Sequence, residues 1–298
     1  MSPENQEWRG TTGGGKLGQN SLLFLFKYVN VRLFYPFIAL TVPFYMIFHN
    51  KEYRAIMKFF KLRFHYSTWK SFWKTFENHY LLGQMVLDRF SIIAGRKKAF
   101  NIEISGNENF YNLIGNEKGF LIASSHIGNF ELCGYLFKQT IKPINAIIFG
   151  GESPELQAKR DKAFHANNIN PISVKEDMSH IFALNNALQN GEIVTMPCDR
   201  ILGSKKNAVC DFLGAKAKFP IGLFYLAAQF QLPVLSLFMM KENSKKYNAY
   251  VCPIEIQIDN NESNLAIAKQ YAQSFAKTLE NMVKRYPSQW FNFYDFWK

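Results

Sequence analysis

Residues 119–134 read G-F-L-I-A-S-S-H-I-G-N-F-E-L-C-G, and the order of residue types there decides the fold. The apolar run Phe120, Leu121, Ile122, Ala123 has the character of a buried strand. Ser124 and Ser125 end it. His126, Gly128, Asn129, Phe130 and Glu131 then lead into Leu132-Cys133-Gly134-Tyr135-Leu136-Phe137, which reads as a helix. Strand, turn and helix N-terminus in that order put ionisable side chains at the carboxyl end of a strand. That is where α/β proteins bind their ligands. Gly128 permits close approach of a ligand or of a second backbone. Asn129 is the expected N-cap, its side chain meeting the first open amides of the helix.

The chemistry follows from the ionisable pair. An imidazole is neutral near pH 7, so His126 is a candidate general base for a hydroxyl or an amine. Glu131, five residues on, is expected to fold back onto the ring, fix its tautomer and stabilise the imidazolium. This is the base-and-orienter arrangement of a catalytic triad, with the substrate bringing the nucleophile. The bare spacing is weak: with six His and 23 acids in 298 residues, chance alone produces about half an occurrence. None of the other five His has an acid at that spacing. The specificity lies in the context of strand, Ser-Ser, His, Gly, Asn, Phe, Glu and helix. The bland alternative is a His capping its own helix, with Glu131 complementing the helix N-terminus.

The segment S-S-H-I-G-N-F-E resembles the His-x4-Asp/Glu motif of the lysophospholipid acyltransferase superfamily, in particular its bacterial branch of lipid A late acyltransferases (lauroyl/myristoyl type). The resemblance covers roughly residues 20–298. It implies a membrane-associated enzyme at the cytoplasmic face of the bacterial inner membrane. Such an enzyme moves a long-chain acyl group from a thioester, on acyl carrier protein or coenzyme A, to a hydroxyl or amine of a lipid or amphiphilic acceptor. No further cofactor is implied. Trp8-Arg9-Gly10 and the stretch from Arg285 to Phe291, R-Y-P-S-Q-W-F, resemble the same branch.

The resemblance also assigns substrate-binding residues. Arg160 matches a basic position that contacts the head group or the donor; otherwise it belongs to a solvated helix face. Pro197-Cys198-Asp199-Arg200 resembles a second block of the family, with its Asp near the active site. Arg200 is expected to bind a phosphate or polarise the thioester carbonyl, as a bidentate guanidinium suits, and Asp199 to orient it. The alternative is an ion pair that stabilises a loop. A tetrahedral oxyanion needs preorganised donors; Arg200 and the amides near Gly128 and Asn129 are the candidates.

Composition narrows the partners. The chain is 48% apolar and 16% aromatic, with 29 Phe, and carries a net charge of +12. That balance points to an anionic partner: a nucleic acid, an anionic membrane surface or an acidic protein. The four Cys (133, 198, 210, 252) form no C-x-x-C pair and read as reduced core residues. No three His, Cys or acid residues stand at usable metal spacing, so no metal is expected.

Three regions are expected. Residues 1–20 form a polar leader made flexible by Gly13-Gly14-Gly15. Residues 21–98 form a helical, membrane-associated region. Its charge-free part, 33–48, has 16 residues, short of the roughly 20 that span a bilayer, and Pro36 and Pro43 interrupt a regular helix. An interfacial or re-entrant anchor and a core helix are the other readings. From His49 onward basic and aromatic residues interleave, which suits a helix lying in a membrane interface. The same pattern also fits nucleic acid, but no sequence-reading motif accompanies it, so nucleic acid is not expected. Residues 99–298 alternate strand and helix, which implies an α/β domain with a mostly parallel central sheet flanked by helices. The runner-up function is a non-catalytic membrane- or lipid-binding protein with a basic interfacial face.

Overall fold

The computed structural model describes residues 15–136, 141–148, 154–174, 179–201, 206–257, 259 and 261–298. Four helices come first: α1 (Gly15–Tyr28), α2 (Tyr35–Phe48), α3 (Asn50–Arg63) and α4 (Thr68–Ile93). The leader expected over residues 1–20 overlaps α1, which is helical from Gly15 because Leu23 and Phe26 on it are buried. The rest of that leader, with Trp8-Arg9-Gly10, lies outside the described residues.

Pro36 sits in the first turn of α2, where a missing N–H leaves no bond unmade. With the short 3-10 turn Val31–Phe34 before it, α2 completes an 18-residue stretch, Val31–Phe48, apolar and long enough by composition to be a candidate membrane span. The α-helix itself has 14 residues, about 21 Å of length against a hydrocarbon layer of about 30 Å. One face, Tyr35, Val42 and Met46, is buried, and α2 packs against α4. The opposite face, Phe37, Leu40, Phe44, Ile47 and Phe48, is exposed.

The α/β part follows as β1 (Asn101–Ser105), α5 (Asn107–Ile114), β2 (Leu121–Ser124), α6 (Leu132–Leu136), β3 (Ile144–Ile148), α7 (Pro154–His165), β4 (Ile169–Ser173), α8 (Ser179–Gln189) and β5 (Ile193–Pro197). Then come β6 (Asn207–Phe212), β7 (Ala215–Pro220), α9 (Gly222–Phe230), β8 (Val234–Lys241), β9 (Lys246–Pro253) and α10 (Asn264–Arg285). Seven strands make one sheet in the order β1-β9-β8-β2-β5-β3-β4. Strands β8, β2, β5, β3 and β4 run parallel; β9 is antiparallel to β8 and carries β1 beside it. The mostly parallel sheet flanked by helices is the expected fold class.

β2 lies near the middle of the sheet and is buried along its whole length. Its neighbours in sequence alternate between two apolar clusters. Leu121 and Ala123 join Val194, Phe224 and Phe275 on the side of α9 and α10. Phe120 and Ile122 join Phe26, Phe90, Tyr135 and Ile193 on the other side. The helical region contributes to both clusters, Phe59 and Phe60 of α3 to the first and Leu23, Phe26 and Tyr35 to the second.

β6 and β7 form a separate antiparallel hairpin that the sequence reading did not resolve into strands. Ala208, Cys210, Phe212, Ala217 and Phe219 point inward, and Val209, Asp211, Lys216 and Lys218 outward, the period-two pattern of a half-buried ribbon. Leu213 and Gly214 both have positive φ, 49° and 75°, as a two-residue hairpin turn of primed type requires.

A buried polar network ties the helical layer to the sheet. Lys241, the last residue of β8, ion-pairs with Asp88 of α4, and Tyr247 of β9 donates to the same carboxylate. Tyr35 of α2 donates to Asp88 Oδ1 at 2.5 Å, and Lys241 Nζ reaches the Tyr35 hydroxyl at 3.1 Å. Every charge in this network is met by opposite charge and by hydrogen bonds, the condition under which a buried ion pair persists. The four Cys are all unpaired thiols.

Candidate active site

Strands β2 and β5 are adjacent and parallel, with Ser124 opposite Pro197. His126 and Asp199 each stand two residues beyond those partners, so equal overhangs bring them side by side. Asp199 then takes over from the sheet ladder. Its Oδ1 lies 2.7 Å from His126 Nδ1, and its Oδ2 accepts the His126 backbone N–H at 2.9 Å. The Trp290 indole N–H donates to the same Oδ2 at 3.3 Å. The carboxylate is buried, 1% exposed, whereas the imidazole keeps 16% of its surface. The ring also meets Phe130 edge-on, with centroids 5.3 Å apart.

The loop carrying His126 is held by main-chain bonds on both sides. Gly128 N–H donates to Gln289 O at 2.8 Å, Asn129 N–H to Met239 O at 2.7 Å, and Phe291 N–H to His126 O at 2.9 Å. Gly128 has φ of +63°, and a Cβ there would lie 2.1 Å from the Met239 carbonyl oxygen. The close approach expected at Gly128 is therefore to a second backbone. Asn129 does not cap α6 with its side chain: its Nδ2 donates to Met85 O of α4 at 3.0 Å, and its main-chain oxygen receives Leu132 N–H. With their amides bonded to protein carbonyls, Gly128 and Asn129 are placed as struts of the loop, and the expected oxyanion contacts from those amides are not available.

The orienter is the main correction to the sequence reading. Glu131 was expected on the imidazole. Its carboxylate instead ion-pairs with Arg89 of α4, and it lies just ahead of α6, 38% exposed. The Nδ1 partner is Asp199, which had been assigned to Arg200. The physical reason is geometric. Asp199 comes from a neighbouring strand at the same height as His126. Glu131 is carried along its own chain toward α4, where a guanidinium waits. Glu131 still acts on the imidazole through space, its charge favouring the imidazolium. Arg200 donates to Phe291 O at 2.7 Å, and its charge acts on both His126 and Asp199. Arg160, on α7, is buried and hydrogen-bonds with Asp161 at 2.9 Å.

Burial has the largest influence on His126 and pushes its pKa below the ordinary histidine range. Arg200 pushes the same way, and Asp199 pushes back. For Asp199, burial raises the pKa, but the imidazole, Arg200 and the hydrogen bonds together outweigh it and hold the carboxyl below the usual carboxylate range. At neutral pH the pair is thus a carboxylate and a neutral ring. Nδ1 carries the proton given to Asp199, and Nε2 keeps its lone pair. No hydrogen bond from a described residue engages Nε2. A ring so held is set up to take a proton at Nε2.

An α/β sheet with a carboxylate-held imidazole beyond its central strands is an arrangement able to supply a general base. The chain belongs to the bacterial lipid A biosynthesis acyltransferases: the family model of that description matches residues 77–298. It is a lipid acyltransferase by family. The matched region takes in most of α4, with Asp88 and Arg89, as well as His126, Asp199 and Trp290. Comparison with curated proteins returns no match. Four chains of solved structure match. One is the 1-acyl-sn-glycerophosphate (LPA) acyltransferase PlsC from Thermotoga maritima, 14% identical, covering 89% of this chain and 98% of that chain with a TM-score of 0.36.

Two site residues escaped the sequence reading. Arg89 stands in the last turns of α4, next to Asp88 and among apolar neighbours, 42 positions before its partner, and nothing local marks it. Trp290 lies in the stretch 285–291 that resembles the family branch, and the sequence assigns its ring no role. The ring packs on the core, and its N–H finds a carboxylate 91 positions away.

Proposed function

We propose that this chain transfers a long-chain acyl group from an acyl thioester, on acyl carrier protein or coenzyme A, to a hydroxyl or amine of a lipid or amphiphilic acceptor. The observation that carries the reading is the Asp199–His126 hydrogen bond at 2.7 Å, which leaves Nε2 as the basic atom. Nε2 takes the proton of the acceptor group, and the acceptor oxygen or nitrogen bonds to the thioester carbonyl carbon. The tetrahedral intermediate then breaks its C–S bond, and the leaving sulfur takes the proton back from the imidazolium. Asp199 holds the ring and balances its charge; Glu131 adds negative charge nearby. Arg200, whose charge already reaches the imidazole, is the donor we assign to the developing oxyanion. Arg160 is assigned to the substrate head group or the donor.

The site works at a membrane in this reading. The exposed apolar faces of α2 and of the start of α4, with Phe44, Phe48, Trp69 and Trp73, suit contact with acyl chains, and the net charge of +12 suits anionic lipid. Unpaired thiols accord with the cytoplasmic face of the bacterial inner membrane.

A radiolabelled acyl-transfer assay on membranes tests the reading. His126→Ala should lower turnover on the order of 100- to 10,000-fold, the usual size of a general base. Undiminished transfer would remove His126 from the mechanism. Vesicle binding with no transfer by the wild-type chain would favour the non-catalytic lipid-binding alternative.

A further inference from the structure

We propose that Trp290 is a positioning residue for this reaction, holding Asp199 in the orientation and charge state that fix the His126 tautomer. The proposal rests on His126 acting as the base.

Among the described residues, Asp199 Oδ2 has two donors, the His126 backbone N–H and the Trp290 indole N–H. The first belongs to the residue being oriented. The indole is an independent anchor, because it comes from a different part of the chain. Its own position is fixed by an aromatic cage: Phe59 of α3 at 5.2 Å, Phe212 of β6 at 5.4 Å, Phe296 at 5.1 Å and Trp297 at 6.0 Å between ring centroids. The main chain on either side is pinned as well. Ile127 and Trp290 form an antiparallel bridge. Gln289 O receives Gly128 N–H, and Phe291 exchanges contacts with both His126 and Arg200. Trp290 is 1% exposed, so the donor is delivered to the carboxylate by a rigid, dry wall. Such preorganisation is what a catalytic carboxylate needs, since a misoriented Asp would admit the other imidazole tautomer. Phe at this position keeps the ring packing and lacks the donor.

The expected kinetics are specific. Trp290→Phe should lower kcat by about tenfold, the lower end for a hydrogen bond to a charged group, with KM little changed. Loss of the donor concentrates negative charge on the side of Asp199 that faces the ring. The His126 midpoint, followed by NMR of the labelled imidazole in the full-length protein, should then move to higher pH, and the acidic limb of the rate profile with it. In an Asp199→Asn background the same substitution should add almost nothing, because the residue acts through Asp199. Thermal unfolding of each variant separates these effects from loss of fold.

Equal losses from Trp290→Phe in both backgrounds, or an unmoved His126 midpoint, would overturn the positioning role. Full transfer by His126→Ala would sink the base reading itself, and the NMR midpoint still reports on Trp290 in that case.

Discussion

The His126 imidazole is held at Nδ1 and basic at Nε2, and its titration follows from its surroundings. Burial first, and Arg200 second, keep the proton off the ring. The ring is therefore neutral at neutral pH, the form the proposed general base requires. Acyl transfer should rise with pH along a limb whose midpoint lies below the ordinary histidine value of about 6.5 and should be level above it. A pH–rate profile measures this. Stability should carry the same sign. Between the lowered folded midpoint and about 6.5 the unfolded chain binds a proton that the folded site refuses. Asp199, also lowered, adds a loss at more acidic pH. Chemical denaturation should thus show falling stability as the medium is acidified. Asp199→Asn should cost transfer on the order of 100-fold or more, because Asn can accept from or donate to Nδ1 and no longer selects one tautomer. Glu131→Gln should be the milder change, since it leaves the Nδ1 bond in place. Comparing kcat for the two variants decides which carboxylate is the orienter.

Among the elements, the loop between β2 and α6 depends on the absence of a side chain at position 128. A methyl group there meets the Met239 carbonyl oxygen at 2.1 Å, on a backbone with φ of +63°. Gly128→Ala should destabilise the protein by about 1–3 kcal/mol or more, seen as a lower Tm. It should also weaken transfer, because the strut carries His126. The Lys241–Asp88 pair joins β8 to α4 in the same region. Lys241→Met leaves a buried carboxylate with hydroxyl partners alone, at a cost of about 3–5 kcal/mol. Replacing Asp88 by Leu as well should recover much of that, and denaturant titration of the single and double variants measures it.

For the whole molecule, the N-terminal helices form part of the fold's two apolar clusters and still present Phe37, Leu40, Phe44, Ile47 and Phe48 outward. Each Phe that leaves water contributes about 1.5–3 kcal/mol. Phe44→Glu combined with Phe48→Glu should therefore lower partitioning onto anionic phospholipid vesicles by about tenfold or more, with Tm unchanged because neither side chain is buried. Cosedimentation with vesicles checks it.

Much of this was legible from order and periodicity alone. The run 120–124, the positions of most strands and helices, and His126 at the end of a central strand all follow from local patterns of apolar residues and their stops. The hairpin β6–β7 was missed because its Leu-Gly turn lacks the usual Asn-Gly or Asp-Gly signal. The partner of His126 was misassigned for a different reason. Spacing along a chain measures only distance within one segment, so it favoured Glu131. Which carboxylate reaches the ring depends on strand order: β5 lies beside β2 with Ser124 level with Pro197, and α4 lies close enough to claim Glu131 for Arg89. The linear chain determined the kind of fold and the placement of His126. Only the tertiary structure decided its carboxylate and the indole behind it, because those contacts join segments 73 and 91 residues apart.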